Sequence, residues 1–417
     1  MSEVVLWYDY IQNGEIVNNC SLEDGMTDGA VEIPKLLIKT NVDFTVATTA
    51  YGTEYFYKKY SNLKNFYPIE ISRWAWSEKI EALLEDHVFF KNNCINNIEI
   101  LIWYASEGWE IWSNNEPIGR LIKSIRYRFP ESKIRFVFGN FVKSKYIPDD
   151  VTYKCFKNYF WLDTILRIPI PPKLTRNKLS KYDFITLNKR YRESRYMVFN
   201  DLKNSGMLAN AKYSNTFDID ISTDDKDKIV MMLSDIKKEF TDYYTIPEDS
   251  EFIKTIQTDQ YFQELDQHAS NKRMVERVRV NNKIMILSDI DLTNCSYLEL
   301  VNETYFDSVG GLFITEKTFR TIALGHIFLI CGQPGLLAHL KQEGFQTFDD
   351  LFDESYDNIV SFSQRWAIIK KNLQLWLDMS DTDKKSYYMQ SFDKLVHNQR
   401  VLYDKSFKKE IQELFED

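Results

Sequence analysis

The segment FITLNKRYRESRYMVFNDL, residues 184–202, runs from an apolar stretch into a crowd of cations, Lys189, Arg190, Arg192 and Arg195, where a helical pattern begins. The first N–H groups of a helix lack intrahelical partners, and the dipole there favours negative charge. Cations at that end oppose the dipole, so a phosphate would offset their cost; a solvated basic face is the alternative. From Arg167 to Arg195 nine Lys/Arg stand against Asp183 and Glu193. A second segment, VNETYFDSVGGLFITEKTFRTIALGHIFLICGQPG, covers residues 301–335. Thr315 reads as an N-cap, which puts Glu316 and Lys317 in a first helical turn above an apolar stripe of Phe319, Ile322 and Ala323. A carboxylate there can accept bonds from the two hydroxyls of a ribose, and the adjacent ammonium can meet a diphosphate. The plainer reading is that Glu316 complements the dipole and Lys317 is solvated. Glu303, closing the preceding strand pattern, is placed to face the same crevice.

A third segment, EILIWYASEGWEIW at 99–112, is a buried-strand pattern that ends in Ser106-Glu107-Gly108. The carboxyl edge of an open α/β sheet faces its ligand crevice. Glu107 can therefore serve as a general base toward an acceptor hydroxyl, with Glu110 as the rival position and a surface carboxylate as the plain reading. Other charged clusters carry less. Asp353, Glu354 and Asp357 read as a solvated turn, lacking a full set of hard metal ligands. His87, His268, His326, His339 and His397 show no metal spacing, and the five scattered cysteines form no C-x-x-C pair, so no metal site is expected. No G-x-x-x-x-G-K-[ST] run exists, which sets aside a P-loop enzyme.

These groups need a scaffold, and the apolar runs supply one. Val4 to Tyr8, Glu99 to Ala105 and Ile134 to Gly139 read as strands, with helical spacing over Trp74 to Asp86 and Pro117 to Tyr127. Around Arg167 to Lys181 the texture turns to RIPIPPKLTRNKLSK, a connector in composition. The alternation then restarts: strands at Phe184 to Leu187, Lys283 to Ser288, Tyr297 to Thr304 and Ile327 to Cys331. Helices are predicted at Arg192 to Asn204, Glu316 to Leu324 and Leu336 to Glu343, then through most of the chain after Ser361. Short apolar strands alternating with helices imply parallel sheets covered on both faces. The expected division is a Rossmann-like domain at 1–166, a linker at 167–182, a second Rossmann-like domain at 183–380 and a helical segment at 381–417.

Composition bounds the class. The 417 residues are 44% hydrophobic and 27% charged, ordinary for a folded protein of two domains. A net charge of -9 gives no global attraction to nucleic acid, so such a partner would need the local basic stretch 167–195. No apolar run approaches a membrane span and no signal-peptide pattern opens the chain, so a soluble, cytoplasmic protein is expected.

The run FITEKTFRTIALGHIFLICGQPG resembles the donor-binding motif of the α-1,3-fucosyltransferase family, in which a Ser/Thr-Glu-Lys run precedes a helix and an apolar strand. The resemblance implies that Glu316 holds the ribose and Lys317 the diphosphate of a nucleotide sugar. It also implies a diphosphate-binding Arg seven residues before a Leu, which Arg195 and Leu202 fit, with Arg192 as alternate and Lys189 nearby. Glu107 would match the family's base, although Gly-Trp follows it here where the family has Ser-Pro. The TEKTF…GxPG…DESYD pattern is similar as well to a broad group of tailed-phage proteins. The implied protein is an α/β glycosyltransferase of the GT-B class, two Rossmann-like domains facing a central cleft. Its donor is a nucleoside diphosphate sugar held, on that resemblance, through Arg195, Glu316 and Lys317 with Arg192 as alternate; Lys189 and Glu303 are expected to join them from their place at the same corners, with no metal required. Acceptors in view are a hydroxylated base in DNA, met through 167–195, or a glycan or other non-DNA hydroxyl. A non-catalytic binding protein that keeps the fold is the reading from another class.

Overall fold

The computed structural model describes residues 4–8, 10–12, 15–17, 32–48, 63–70, 98–105, 117–128, 130, 132–139, 148–188, 193–215, 277–280, 283–286, 296–306 and 312–416. The expected helix at Trp74 to Asp86 lies outside them, as do Glu107, Glu110, Lys189, Arg190 and Arg192. The chain divides into two compact units. The first comprises Met1–Leu166, Val309–Phe313 and Lys405–Asp417; the second comprises Arg167–Ser308 and Ile314–Asp404.

The first unit carries strands β1 (Val4–Tyr8), β2 (Tyr10–Gln12), β3 (Glu15–Val17), β4 (Phe44–Thr48), β5 (Lys64–Glu70), β6 (Glu99–Tyr104), β7 (Ile134–Phe138) and β8 (Val151–Cys155). Six of them form one sheet in the order β4-β1-β5-β6-β7-β8, every pairing parallel. β2 and β3 make a separate antiparallel pair. Parallel strands are buried on both faces, which is why IRFVF and EILIWY lack polar alternation. The exception proves structural: Arg135 of β7 is buried, pairs with Glu99 at 3.0 Å and donates to the Leu414 carbonyl at 2.9 Å. Helices α1 (Glu32–Thr40), α2 (Pro117–Arg128) and α3 (Tyr159–Arg167) accompany this sheet.

The second unit is built on β9 (Phe184–Asn188), α4 (Glu193–Asn204), β10 (Ala211–Asn215), the antiparallel pair β11 (Arg277–Val280) and β12 (Lys283–Ile286), β13 (Leu298–Asn302), α5 (Glu316–Ala323), β14 (Ile327–Cys331) and α6 (Leu336–Gln342). Its main sheet runs β10-β9-β13-β14, again parallel throughout. In both sheets the strand that comes second along the chain, β4 or β10, lies outside the first, β1 or β9, and the chain then reverses direction across the sheet. Such a reversal is a topological switch point, where carboxyl ends of strands bind ligands. In the second unit it falls between β9 and β13.

Helices α7 (Phe362–Asp378), α8 (Asp381–Gln390) and α9 (Phe392–Asp404) complete the second unit, while α10 (Lys408–Phe415) returns to the first. The stretch 381–417, read from sequence as one segment, thus divides at 404/405. The stretch 167–182 forms no helix or strand after Arg167, yet it is strapped to the second unit. Carbonyls of Ile168, Pro172 and Lys178 accept from Tyr403, Gln399 and Tyr297 at 2.8, 2.9 and 2.8 Å. Leu174 fills the space beside Gly325, where a Cβ would sit 2.3 Å from its Cδ2. Gly325 ends α5 at φ +65, a conformation that favours glycine.

Candidate functional site

The carboxyl ends of β9 and β13 carry matching residues, FITLN and LELVN, each closing on asparagine. Asn302 Nδ2 donates to Thr186 Oγ1 at 3.0 Å and to Asn188 Oδ1 at 3.2 Å. Both asparagines are only 1% exposed, and Asn188 Nδ2 and Asn302 Oδ1 have no hydrogen-bond partner among the described residues. A buried amide atom left so costs about 1–3 kcal/mol, and such atoms gather at functional ground. The terminal Asn repeated in FITLN and LELVN is the trace of this pair in the sequence.

From this edge two strand-to-helix corners bring their charged groups together. The first corner places Arg195 in the opening turn of α4. It is 3% exposed, its Nε donating to the Glu303 carbonyl and its Nη2 to Thr304 Oγ1, both at 3.2 Å. The second corner is organised by Glu303, which is 0% exposed. Its carboxylate accepts from Thr315 Oγ1 and Thr318 Oγ1 at 2.6 Å each, and from the N–H groups of Thr304 and Thr315 at 3.2 Å. Four donors satisfy the charge, as a buried carboxylate requires. Gly332, just past β14, packs beside it: a Cβ there would stand 2.9 Å from Leu336 Cδ1 and 3.4 Å from Glu303 Cβ. Glu303 therefore positions the corner, a role its sequence setting at a strand end did not reveal.

Thr315 caps α5 as expected, accepting from Lys317 N at 3.4 Å, while its hydroxyl also takes a bond from Lys317 Nζ at 3.1 Å. The Lys317 ammonium pairs with Glu316 Oε1 at 2.8 Å, the side chains being 17% and 39% exposed. Arg195, Glu303, Thr315, Lys317 and Glu316 thus form one bonded chain spanning both corners. Burial by itself would raise the Glu316 pKa, but the Lys317 charge and hydrogen bond, with Arg167 behind them, hold the carboxyl at about 2. Water at its open side relieves part of that burial. For Lys317 burial is the largest influence and lowers the pKa; Glu316 and Glu303 oppose it and Arg195 reinforces it. The arrangement is two cations and an accessible carboxylate around the first turn of a helix, able to meet an anion that also carries hydrogen-bond donors.

The acidic FDESYD loop, expected as a solvated turn, keeps Asp353 exposed but turns Asp357 inward as a clamp. Asp357 accepts from Leu337 N and Ala338 N at 2.9 Å each, capping α6, and Glu354 takes Thr347 Oγ1 at 2.9 Å. A helix whose own N-cap position is Gly335 needs an oxygen from elsewhere, and this loop brings one. The basic stretch is mixed: Arg167, Lys173, Arg176 and Lys181 are exposed, whereas two of its cations are not. Lys178 and Arg195 are buried, and Arg176 pairs with Asp393. Among the described residues there is no group of three or more His, Cys, Asp or Glu suited to a metal ion, and no helix long and apolar enough to cross a membrane.

No protein-family model matches the sequence, and no curated protein matches it. Among solved structures the chain is similar to an alpha,alpha-trehalose-phosphate synthase (UDP-forming) from Burkholderia vietnamiensis. The two share 10% identity over 99% of this chain and 100% of that one, at a TM-score of 0.37.

Proposed function

We propose that this protein is a glycosyltransferase that uses a nucleoside diphosphate sugar, its second unit holding the donor. Arg195 and Lys317 would meet the diphosphate, assisted by Lys189 and Arg192, and Glu316 the ribose hydroxyls. The observation that carries this reading is the bonded chain from Arg195 through Glu303 and Thr315 to Lys317 and Glu316 at a switch point between parallel strands. Glu303, fully buried and fully bonded, would hold the cradle without touching the donor.

In the reaction the acceptor oxygen attacks the anomeric carbon as the bond from that carbon to the β-phosphate oxygen breaks. Negative charge grows on the departing diphosphate, where preorganised cations stabilise it most. Glu107 of the first unit, beyond the strand β6, is the proposed base that takes the acceptor proton, giving inversion. The acceptor proposed is a non-DNA hydroxyl, such as that of a glycan, because a net charge of -9 gives no global attraction to nucleic acid. Transfer to a hydroxymethylated base in DNA is the competing acceptor.

A thermal-shift panel of UDP-, GDP- and CMP-sugars tests the donor site, since a ligand at 100 times its dissociation constant stabilises a fold by about 2.7 kcal/mol. Stabilisation by one nucleotide class is the expected result. Transfer assays with glycan, plain DNA and hydroxymethylated DNA then assign the acceptor. Silence across the panel would favour a binding protein without turnover.

A further inference from the structure

We infer that Asn188 and Asn302 form an uncharged hydrogen-bonding site for a sugar hydroxyl at the carboxyl edge of the second unit's sheet. The inference deepens the donor reading above by naming residues that select the sugar, at a place separate from the start of α5. The chain sets carboxamide residues in a row along this edge. Asn215 of β10 stands opposite Asn188 of β9 in the backbone register, and Asn188 is bonded to Asn302 of β13. Asn302 gives its amide nitrogen to Thr186 Oγ1 at 3.0 Å and Asn188 Oδ1 at 3.2 Å. What remains is one donor, Asn188 Nδ2, and one acceptor, Asn302 Oδ1, both buried and without a partner among the described residues.

That remainder selects the chemistry of its ligand. A hydroxyl accepts from an amide nitrogen and donates to an amide oxygen at once. A phosphate oxygen has no hydrogen to give and would set oxygen against Asn302 Oδ1, while an ammonium has no lone pair for Asn188 Nδ2. Thr186, Asn188 and Asn302 are all neutral, so the cluster itself draws no ion. It is also turned away from α5: Glu303, next in the chain, gives its carboxylate to Thr315 and Thr318, whereas the Asn302 amide bonds to side chains of β9. The carboxyl ends of strands at a switch point face the ligand crevice. Two amides serving each other alone close with reciprocal bonds; here a single bond is made, and a third group is needed to satisfy the other two atoms.

The test is isothermal titration of the full-length chain with UDP and GDP, with UDP-glucose, UDP-galactose and GDP-mannose, with monodeoxy forms of whichever sugar binds, and with free glucose, galactose and mannose. Asn188→Leu fills similar space without the amide, and Asn188→Ala is titrated in parallel so that a folded variant decides. The unsubstituted protein should bind one nucleotide sugar about tenfold more tightly than its nucleoside diphosphate, and one monodeoxy form should forfeit that gain. In the Asn188 variants the gain should vanish and the same deoxygenation should cost nothing further, while the nucleoside diphosphate binds as before. A merely structural asparagine would not couple to one hydroxyl in this way. A folded variant that keeps the gain, or a protein indifferent to every single deoxygenation, overturns the hydroxyl site while nucleotide binding keeps the donor reading. A free sugar bound without any nucleotide, and weakened about tenfold by the variants, keeps the hydroxyl site and overturns the donor reading. A folded protein that binds neither overturns both.

Discussion

Glu303 and Glu316 stand thirteen residues apart at the same corner and are treated oppositely by their surroundings. Glu303 gathers four protein donors at full burial, whereas Glu316 keeps an open side and a single cation. Replacing Glu303 with Ala strands the hydroxyls of Thr315 and Thr318 and removes a charge facing Lys317 and Arg195. We expect about 3 kcal/mol of destabilisation in urea unfolding, with Glu303→Gln intermediate because it retains one acceptor. Glu316 makes a different prediction through pH. Its folded pKa, about 2, lies below the ordinary 4.5, so its contribution is fully present above 4.5 and fades as pH falls through about 2. Screening at a 39% exposed side chain keeps that contribution below about 1 kcal/mol. The urea midpoints of the unsubstituted protein and Glu316→Gln should therefore converge between pH 4.5 and 2; a constant gap would refute the shift. Arg195→Lys loses the fork that holds the Glu303 carbonyl and Thr304 Oγ1 in a buried place, so nucleotide affinity should drop by about tenfold and the melting temperature should fall with it.

At the scale of elements, α5 depends on both its ends. Its start is fixed by Thr315 and Glu303, and its stop by Gly325 at φ +65 with Leu174 packed where a side chain would begin. Gly325→Ala combines a left-handed backbone with a contact at 2.3 Å, and should cost about 2–3 kcal/mol. Adding Leu174→Ala relieves the contact and leaves only the backbone part, so the double variant should recover stability relative to the sum of the singles. Additive losses would show that Leu174 is not the obstacle. The start of α6 is supported from farther away, by Asp357. Asp357→Ala should cost about 1–2 kcal/mol as a lost N-cap, although the residue lies in a loop distant in sequence from the helix it serves.

For the whole chain, the last helix belongs to the unit that begins the sequence. α10 sets Phe415 against Phe66 with ring centroids 5.2 Å apart, Phe407 against Trp161 at 5.7 Å, and Glu410 within 2.9 Å of Asn158. It also accepts the buried Arg135 guanidinium through the Leu414 carbonyl. Ending the chain at Asp404 would leave that cation short of a partner and bare the aromatic faces. Hydrogen exchange should then show lost protection in β6 and β7, with β13 and β14 unchanged. Loss spread equally over both sheets would mean that the two units unfold as one.

What the sequence determined by itself was whatever local pattern controls. Continuous apolar runs such as IRFVF and IFLIC announced parallel strands, because strands buried on both faces have no polar side to show. Thr315 announced the start of α5, since capping depends on neighbours in the chain. Glu316, Lys317 and Arg195 stood out as charges at helix starts. Local pattern carries no information about which distant groups meet. Only the tertiary structure turned Glu303 inward onto Thr315 and Thr318, joined Asn188 to Asn302, made Asp357 the cap of α6, and sent residues 405–417 back to the first unit. Each of these pairs a buried polar group with a partner remote in sequence, and satisfaction of buried hydrogen bonds is a property of the packed molecule.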